Sequence, residues 1–262
     1  MFTRVASSLR LILLALALPG YAAAAQRTTS GAAEAAYRQE GSLAGFPYLA
    51  FVTGGARPTD RLPMIVGLHY SGATLDEMAA YFADLGFRAR VVLPQGSYPR
   101  PGAGRSWFPS GFTALPLAEQ EELTNAVVEE VSGFIAAATA TFPTRGKPVV
   151  AGVSYGGDLS FLIALRHPER LAAAFPVAAR FRPDWMPREN HCTPQCPLIM
   201  AMHGEADTTV PPEPTRRAAQ QLARMGFRVE FRPYAGVAHD FAPQMRRDFA
   251  TAVRQLVSLD RP

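Results

Sequence analysis

Short apolar runs and longer amphipathic stretches alternate along most of the chain. The apolar runs are 48–53, 63–69, 89–93, 148–153, 172–177, 198–203 and 228–234. Most are rich in Val, Ile, Leu, Met or Phe and are bounded by Gly or Pro, the pattern of strands buried on both faces. Between them, 75–85, 117–141, 157–166, 213–225 and 240–256 repeat apolar residues at three- and four-residue spacing. Val127, Val128, Val131, Phe134 and Ile135 form one such helical stripe. This alternation predicts an α/β fold, a mostly parallel twisted sheet with helices on both faces. No internal repeat and no linker divides it.

Two stretches break the rhythm, 94–117 and 180–197. Loops of this length are usually functional or mobile. Both follow expected strands, so both are expected at the C-terminal edge of the sheet, where open α/β sheets bind ligands. Between Val177 and Leu198 there is no long apolar insertion that could serve as a large lid.

The first 25 residues read as an export signal. Arg4 and Arg10 supply a positive start, 11–18 is a short apolar run, and Ala23-Ala24-Ala25 is a small-residue cleavage site. The apolar run is too short to span a bilayer, so an exported chain without stable membrane insertion is expected. The segment 26–43 is small, polar and alanine-rich and reads as a tether or loosely packed first segment. Cleavage after Ala25 leaves 237 of the 262 residues, 26–262, enough for one α/β domain with a full core. It also leaves 24 of the 26 basic residues against 22 acidic ones, with no run of five or six like charges. Binding driven by nucleic-acid phosphates is therefore not expected.

Cys192 and Cys196 are the only cysteines. In an exported chain a pair this close favours a local disulfide over two free thiols. A zinc site would need two further ligands; His191 is one candidate and no fourth is in view. No metal is expected.

Chemistry is concentrated around Gly152-Val153-Ser154-Tyr155-Gly156, which matches the pattern G-x-S-x-G. The pattern alone is weak, but here an expected strand precedes it and an expected helix follows, as a nucleophile elbow requires. Glycine on either side lets backbone pass close to a serine held in an unfavourable φ/ψ region. A serine hydroxyl needs a base to take its proton. His239, in AGVAHDF, lies between the last strand and the last helix; Asp207, in MHGEADTTVPP, follows the strand at 198–203. The chain order Ser154, Asp207, His239 suits this architecture. His203 is a rival base, and Glu205 and Asp240 are rival acids; Asp240 also suits the cap of the last helix. His167, at a helix end, and His191 read as structural. The backbone N–H of Tyr155 is the expected first oxyanion donor, and a second is expected from the loop LHYSGAT after the strand at 63–69.

LHYSGAT, SWF, GVSYGG, MHGEADTTVP and the terminal AHDF together resemble the carboxylesterase/phospholipase group of α/β-hydrolases. Secreted feruloyl-esterase and polyester-depolymerase-like esterases are near that group. The resemblance runs from about Pro47 onward. It implies an α/β-hydrolase domain in which Ser154 is nucleophile, His239 base and Asp207 its orienting acid, with no cofactor. It puts the second oxyanion donor on Ser71. The group usually has glycine directly after the histidine of this loop, where this chain has Tyr70, which could narrow the acyl pocket or lie over it. Tyr70, Trp107 and Phe108 are the expected pocket residues, with Phe112, Phe181 and Trp185 also on nearby loops. The expected activity is hydrolysis of short-chain or soluble carboxylic esters, a small-molecule substrate. The same triad would serve an acyltransferase or a peptidase, and a non-catalytic binding protein on this fold is the reading from another class.

Overall fold

The computed structural model describes residues 37–259. The expected export signal, 1–25, and residues 26–36 lie outside the described residues. In chain order the strands are β1 (Arg38–Leu43), β2 (Phe46–Val52), β3 (Met64–Leu68) and β4 (Arg90–Pro94), then a small ribbon of β5 (Tyr98–Pro99) and β6 (Arg105–Ser106), then β7 (Val149–Val153), β8 (Ala173–Val177), β9 (Leu198–Gly204) and β10 (Val229–Tyr234). The helices are α1 (Leu75–Ala80), α2 (Leu117–Thr141), α3 (Tyr155–Arg166), α4 (Pro212–Arg224) and α5 (Pro243–Leu259).

Eight strands form one sheet in the order β1-β2-β4-β3-β7-β8-β9-β10. The pairs β1/β2 and β2/β4 are antiparallel and the remainder are parallel. The strands β3, β4, β7 and β8 are buried along their whole length, which is why they read as continuous apolar runs. Successive side chains point to opposite faces. Val66, Val150, Ala174 and Ile199 pack beneath α2, α3 and α4. Ile65, Val149, Ala173 and Met200 pack against α1 and α5.

The segment expected to be a tether is different from residue 38 on. Arg38–Leu43 is an edge strand, paired from Arg38↔Phe51 to Leu43↔Phe46. Ala44 and Gly45 turn the hairpin at φ 47 and 85, the twist that two-residue hairpins favour. None of its six residues is buried, so no apolar pattern marked it. Helix α1 ends at Ala80, short of the expected 85, and the chain turns so that Phe82 and Leu85 still reach the core. The last helix begins at Pro243, whose fixed φ suits a first turn but not a helix interior. Asp240 therefore lies outside it and caps nothing there; the Tyr81 hydroxyl donates to its Oδ1 (3.5 Å).

The long loop at 94–117 is ordered by the β5/β6 ribbon and a 3-10 turn at Phe112–Ala114. The loop at 180–197 begins at the C-terminal edge, as expected, but crosses to the opposite edge. There a disulfide joins Cys192 to Cys196, and the Arg228 guanidinium donates to the Cys196 carbonyl just ahead of β10 (3.4 Å). The disulfide thus braces the floor of the sheet, away from the strand ends that carry the serine.

The turn from β7 into α3 is packed backbone against backbone. A Cβ on Gly152 would collide with the Gly156 carbonyl, and one on Gly156 with the Leu68 carbonyl at the end of β3. Gly133, in the interior of α2, has nothing within 4 Å of an added Cβ. Gly133→Ala should therefore stabilise the chain by about 1 kcal/mol through helix propensity. Gly156→Ala should cost about 3 kcal/mol or more, because two backbones must part. Denaturant midpoints of the two variants decide this; equal effects would contradict the packing described.

Candidate active site

Ser154 stands between Val153, the last residue of β7, and Tyr155, the first of α3. Its backbone is at φ 55, ψ −118, a sparsely populated conformation that persists only where its surroundings enforce it. Its N–H donates to the Val177 carbonyl and its own carbonyl accepts from Asp158 N, both at 2.9 Å. The side chain is thereby lifted off the end of the sheet at the start of a helix. The Tyr155 N–H lies in the first turn of α3, where no intrahelical acceptor exists and where the helix dipole favours negative charge.

Asp207 follows β9 and is buried. Its Oδ1 accepts from the N–H groups of Thr209 (2.9 Å) and Val210 (2.8 Å). Its Oδ2 accepts from His239 Nδ1 at 2.7 Å, so the His239 proton sits on Nδ1 and Nε2 is left as the basic nitrogen. Glu205 N donates to the Tyr234 carbonyl and Ala206 N to the Val237 carbonyl, each at 2.9 Å, tying the loops after β9 and β10 together. The rival groups are engaged elsewhere. Glu205 faces Arg216 at 3.7 Å. His203 is buried; its Nε2 donates to the Val210 carbonyl (2.9 Å) and lies 3.3 Å from Asp207 Oδ2. It is thus a second brace on the acid. Among the described residues neither Ser154 Oγ nor His239 Nε2 has a protein hydrogen-bond partner.

The loop after β3 carries Ser71, and the ribbon of the long loop holds it. Gly72 N donates to the Arg105 carbonyl (2.8 Å), Arg105 N to Ala73 (3.0 Å), and Ala73 N to Tyr70 (3.3 Å). No backbone acceptor takes the Ser71 N–H among the described residues. His69, which the sequence did not single out beyond its loop, is the centre of this support. It is fully buried. Its Nε2 accepts from Gly96 N at 2.9 Å, so in the neutral ring Nδ1 carries the proton and donates to the Tyr70 carbonyl at 2.8 Å. The Trp107 ring stacks on it at 4.7 Å, and the indole N–H donates to the His69 carbonyl at 2.7 Å.

That arrangement corrects the expected pocket. Trp107 and Phe108 are each 1% exposed and offer no surface to a ligand. Trp107 clamps the His69 backbone; Phe108 stacks on Phe112 at 4.1 Å and meets the Tyr155 ring edge-on. Phe112, Phe181 and Trp185 are buried as well. Tyr70 is half-buried against the α1 and α5 side of the core, with Glu77 and Asp240 near its hydroxyl, and burial raises its pKa. It flanks the His239 loop.

A second support was not legible in the sequence. Asp158, one turn after Ser154, is buried and holds Arg180 three ways. Oδ1 accepts from Arg180 N (2.6 Å), and Oδ2 from Nε (2.9 Å) and Nη2 (2.7 Å). Burial pushes this carboxyl up to about 6 against the opposing pull of Arg180, and a charged His239 lies near enough to favour its ionised form. The Arg180 guanidinium lies over the Tyr155 ring at 4.8 Å. Among the described residues no group of three or more His, Cys, Asp or Glu side chains is arranged to hold a metal ion.

Burial lowers the His69 pKa from 6.5 to about 4. The folded state thus disfavours the protonated ring. Its stabilising contribution is complete above pH 6.5 and is lost progressively as pH falls toward about 4. That shift is worth roughly 3 kcal/mol. In His69→Gln, whose amide oxygen can accept from Gly96 N, stability should fall less steeply over that window than in the wild type. Denaturant unfolding at a series of pH values measures this; identical pH slopes would contradict it.

Comparison with known proteins agrees with this architecture. The family model for phospholipase/carboxylesterase matches residues 62–257. Among solved structures, the carboxylesterase of Bacillus cereus is similar with a TM-score of 0.64 at 15% identity, over 80% of this chain and 94% of that one. Acyl-protein thioesterase 2 of Zea mays has a TM-score of 0.60 at 18% identity, over 79% and 98%. The esterase PE8 has a TM-score of 0.61 at 18% identity, over 78% and 99%. The mostly parallel eight-stranded sheet with helices on both faces is that of these α/β-hydrolases. With three quarters of its length matched, this chain belongs to the phospholipase/carboxylesterase family of α/β-hydrolases.

Proposed function

We propose that the chain hydrolyses carboxylic esters through Ser154, His239 and Asp207. The observation that carries this reading is the 2.7 Å bond from His239 Nδ1 to the buried Asp207 carboxylate, on loops at the same sheet edge as the strained Ser154 turn. In the first half-reaction His239 Nε2 takes the proton from Ser154 Oγ as that oxygen attacks the ester carbonyl carbon. The carbonyl oxygen becomes an oxyanion and accepts hydrogen bonds from the N–H groups of Tyr155 and Ser71. The intermediate collapses, the carbon–oxygen bond to the alcohol breaks, and His239 returns its proton to the leaving oxygen. Water then repeats the attack on the acyl-enzyme and releases the acid. Asp207 fixes the tautomer and stabilises the imidazolium. Asp158 and Arg180 act at one remove, holding the loop after β8 against the helix that starts at Tyr155.

Short or soluble acyl esters are the proposed substrates. The exposed large hydrophobic residues among those described are Tyr37 and Leu117, which leaves no broad apolar surface for a lipid interface. The segment between β8 and β9 is spent on a 3-10 turn at Pro183–Trp185 and the disulfide loop, not on a lid. Export, read from residues 1–25, is likewise proposed, and the disulfide suits an oxidising compartment.

Hydrolysis of p-nitrophenyl acetate, butyrate and palmitate by the wild type and Ser154→Ala tests the reading. The short esters should turn over faster than palmitate, and the variant should lose roughly 10⁶-fold in kcat where the triad acts as a unit. More than a few per cent residual activity in Ser154→Ala would overturn the assignment of the nucleophile. Preference for palmitate would overturn the substrate class.

A further inference from the structure

Most carboxylate-paired arginines of this chain are bound one to one or share a small cluster. Arg38 pairs with Asp76, Arg180 with Asp158, Arg182 with Asp184, and Arg232 with Glu230. Arginines without a carboxylate partner among the described residues also occur singly elsewhere, Arg100 and Arg228 among them, but on the α1/α5 side and the adjoining N-terminal edge of the sheet several line the same hollows. A groove of about 510 Å³ between α1 and α5 is lined by Arg246, Arg247 and Arg254 with Asp84. A second hollow of about 530 Å³ is lined by Arg61, Arg88, Arg145 and again Arg254, with Asp60. Among the described residues, Arg88 alone of these six arginines has a carboxylate partner, Asp60, which Arg57 also engages. Among the described residues Arg61, Arg145, Arg246, Arg247 and Arg254 have none within ion-pair distance.

Arg61 Nε donates to the Thr144 carbonyl (2.9 Å), but the donors of Arg145, Arg246 and Arg254 are under-used. The Nε atoms of Arg145 and Arg246 are buried and have no acceptor among the described residues. Among the described residues Arg254, which lines both hollows, reaches the Leu85 and Gly86 carbonyls, each at 3.4 Å. Arg246 is held by its stacking over the Tyr81 ring at 5.6 Å, and Arg254 over Phe87 at 5.7 Å. Both guanidinium planes are thus positioned by aromatic faces, not by counter-charges. Six arginines against Asp60 and Asp84 give the lining of these two hollows a formal charge equal to the +4 of the whole chain. The sequence did not disclose it because the arginines are scattered from 61 to 254 and form no run.

We propose that these two adjoining hollows form a binding site for a ligand bearing phosphate groups, with Arg254 at the junction. Guanidinium forks match phosphate oxygens in paired hydrogen bonds, and a multiply charged anion would relieve the mutual repulsion of the cluster. The second hollow lies at the N-terminal edge of the sheet, opposite the strand ends that carry Ser154, the groove runs along the α1/α5 flank, and the proposal is independent of the hydrolytic reading. Free polyphosphate and a phospholipid headgroup present the same chemistry.

Isothermal titration of the full chain with inorganic tripolyphosphate, and sedimentation with vesicles of phosphatidylglycerol or of phosphatidylcholine alone, separate the two sources. Tripolyphosphate should bind, more weakly as salt rises, and Arg246→Gln/Arg254→Gln should weaken it at least tenfold. The exposed Arg247→Gln should weaken it severalfold and serves if the double variant does not fold. Arg217→Gln/Arg224→Gln on α4, an equal loss of charge elsewhere, should leave binding within twofold. Binding to phosphatidylglycerol vesicles alone, with the same dependence on Arg246 and Arg254, supports the site with a headgroup as its source. Absence of binding to both probes, or equal losses in the α4 control, would overturn the proposal.

Discussion

The contact on which the site depends is the close approach of backbone to backbone where β7 turns into α3 against the end of β3. Gly152 and Gly156 leave no room for a side chain between these segments. That closeness forces Ser154 into its positive φ and starts the helix at once behind it. The strain is local, of the order of 1–3 kcal/mol, and it is held by the parallel sheet on either side. Val177 of the neighbouring strand takes the Ser154 N–H, so this amide is satisfied in the scaffold and is not available to an oxyanion. The Ser71 N–H, by contrast, has no backbone acceptor among the described residues.

Around this turn the protein places buried polar groups that are satisfied by the loops they organise. His69 accepts from the long loop and donates to its own, while Trp107 closes over both. Asp158 binds both backbone and guanidinium of Arg180. Asp207 takes two amides of its own turn before it meets His239. Loops alone are poorly determined. Here each one that approaches Ser154 is fastened to the rigid sheet by a buried group whose loss would leave an unpaired partner, at a cost of several kcal/mol for the charged pair. Trp107, Phe108 and Phe112 serve the same end, which is why they are packed inside and not displayed to a substrate.

The parallel strands were legible because burial on both faces makes them uniformly apolar, and α2 is bounded as its apolar spacing indicates. The edge strand β1 was not, since an exposed strand has no buried face to pattern it. Ser154, Asp207 and His239 could be singled out because each residue type occurs at the end of an apolar run in the order the chemistry needs. The supports at His69, Asp158 and Arg180 could not, because they depend on which loops meet in space. The same holds for the arginines of the α1/α5 flank, which the fold assembles from positions up to 193 residues apart, Arg61 to Arg254. Asp240 was misplaced for a simpler reason: Pro243, not the acid, sets the start of α5.

The account rests on Ser154 being a hydroxyl made nucleophilic by its surroundings, one among many serines of the chain. Treatment with diisopropyl fluorophosphate followed by peptide mass spectrometry tests this without assuming any natural substrate. The account predicts a single diisopropylphosphoryl adduct, confined to the peptide that contains Ser154 and abolished by unfolding the protein before treatment. An unmodified Ser154, or modification spread over other serines at a similar rate, would contradict it.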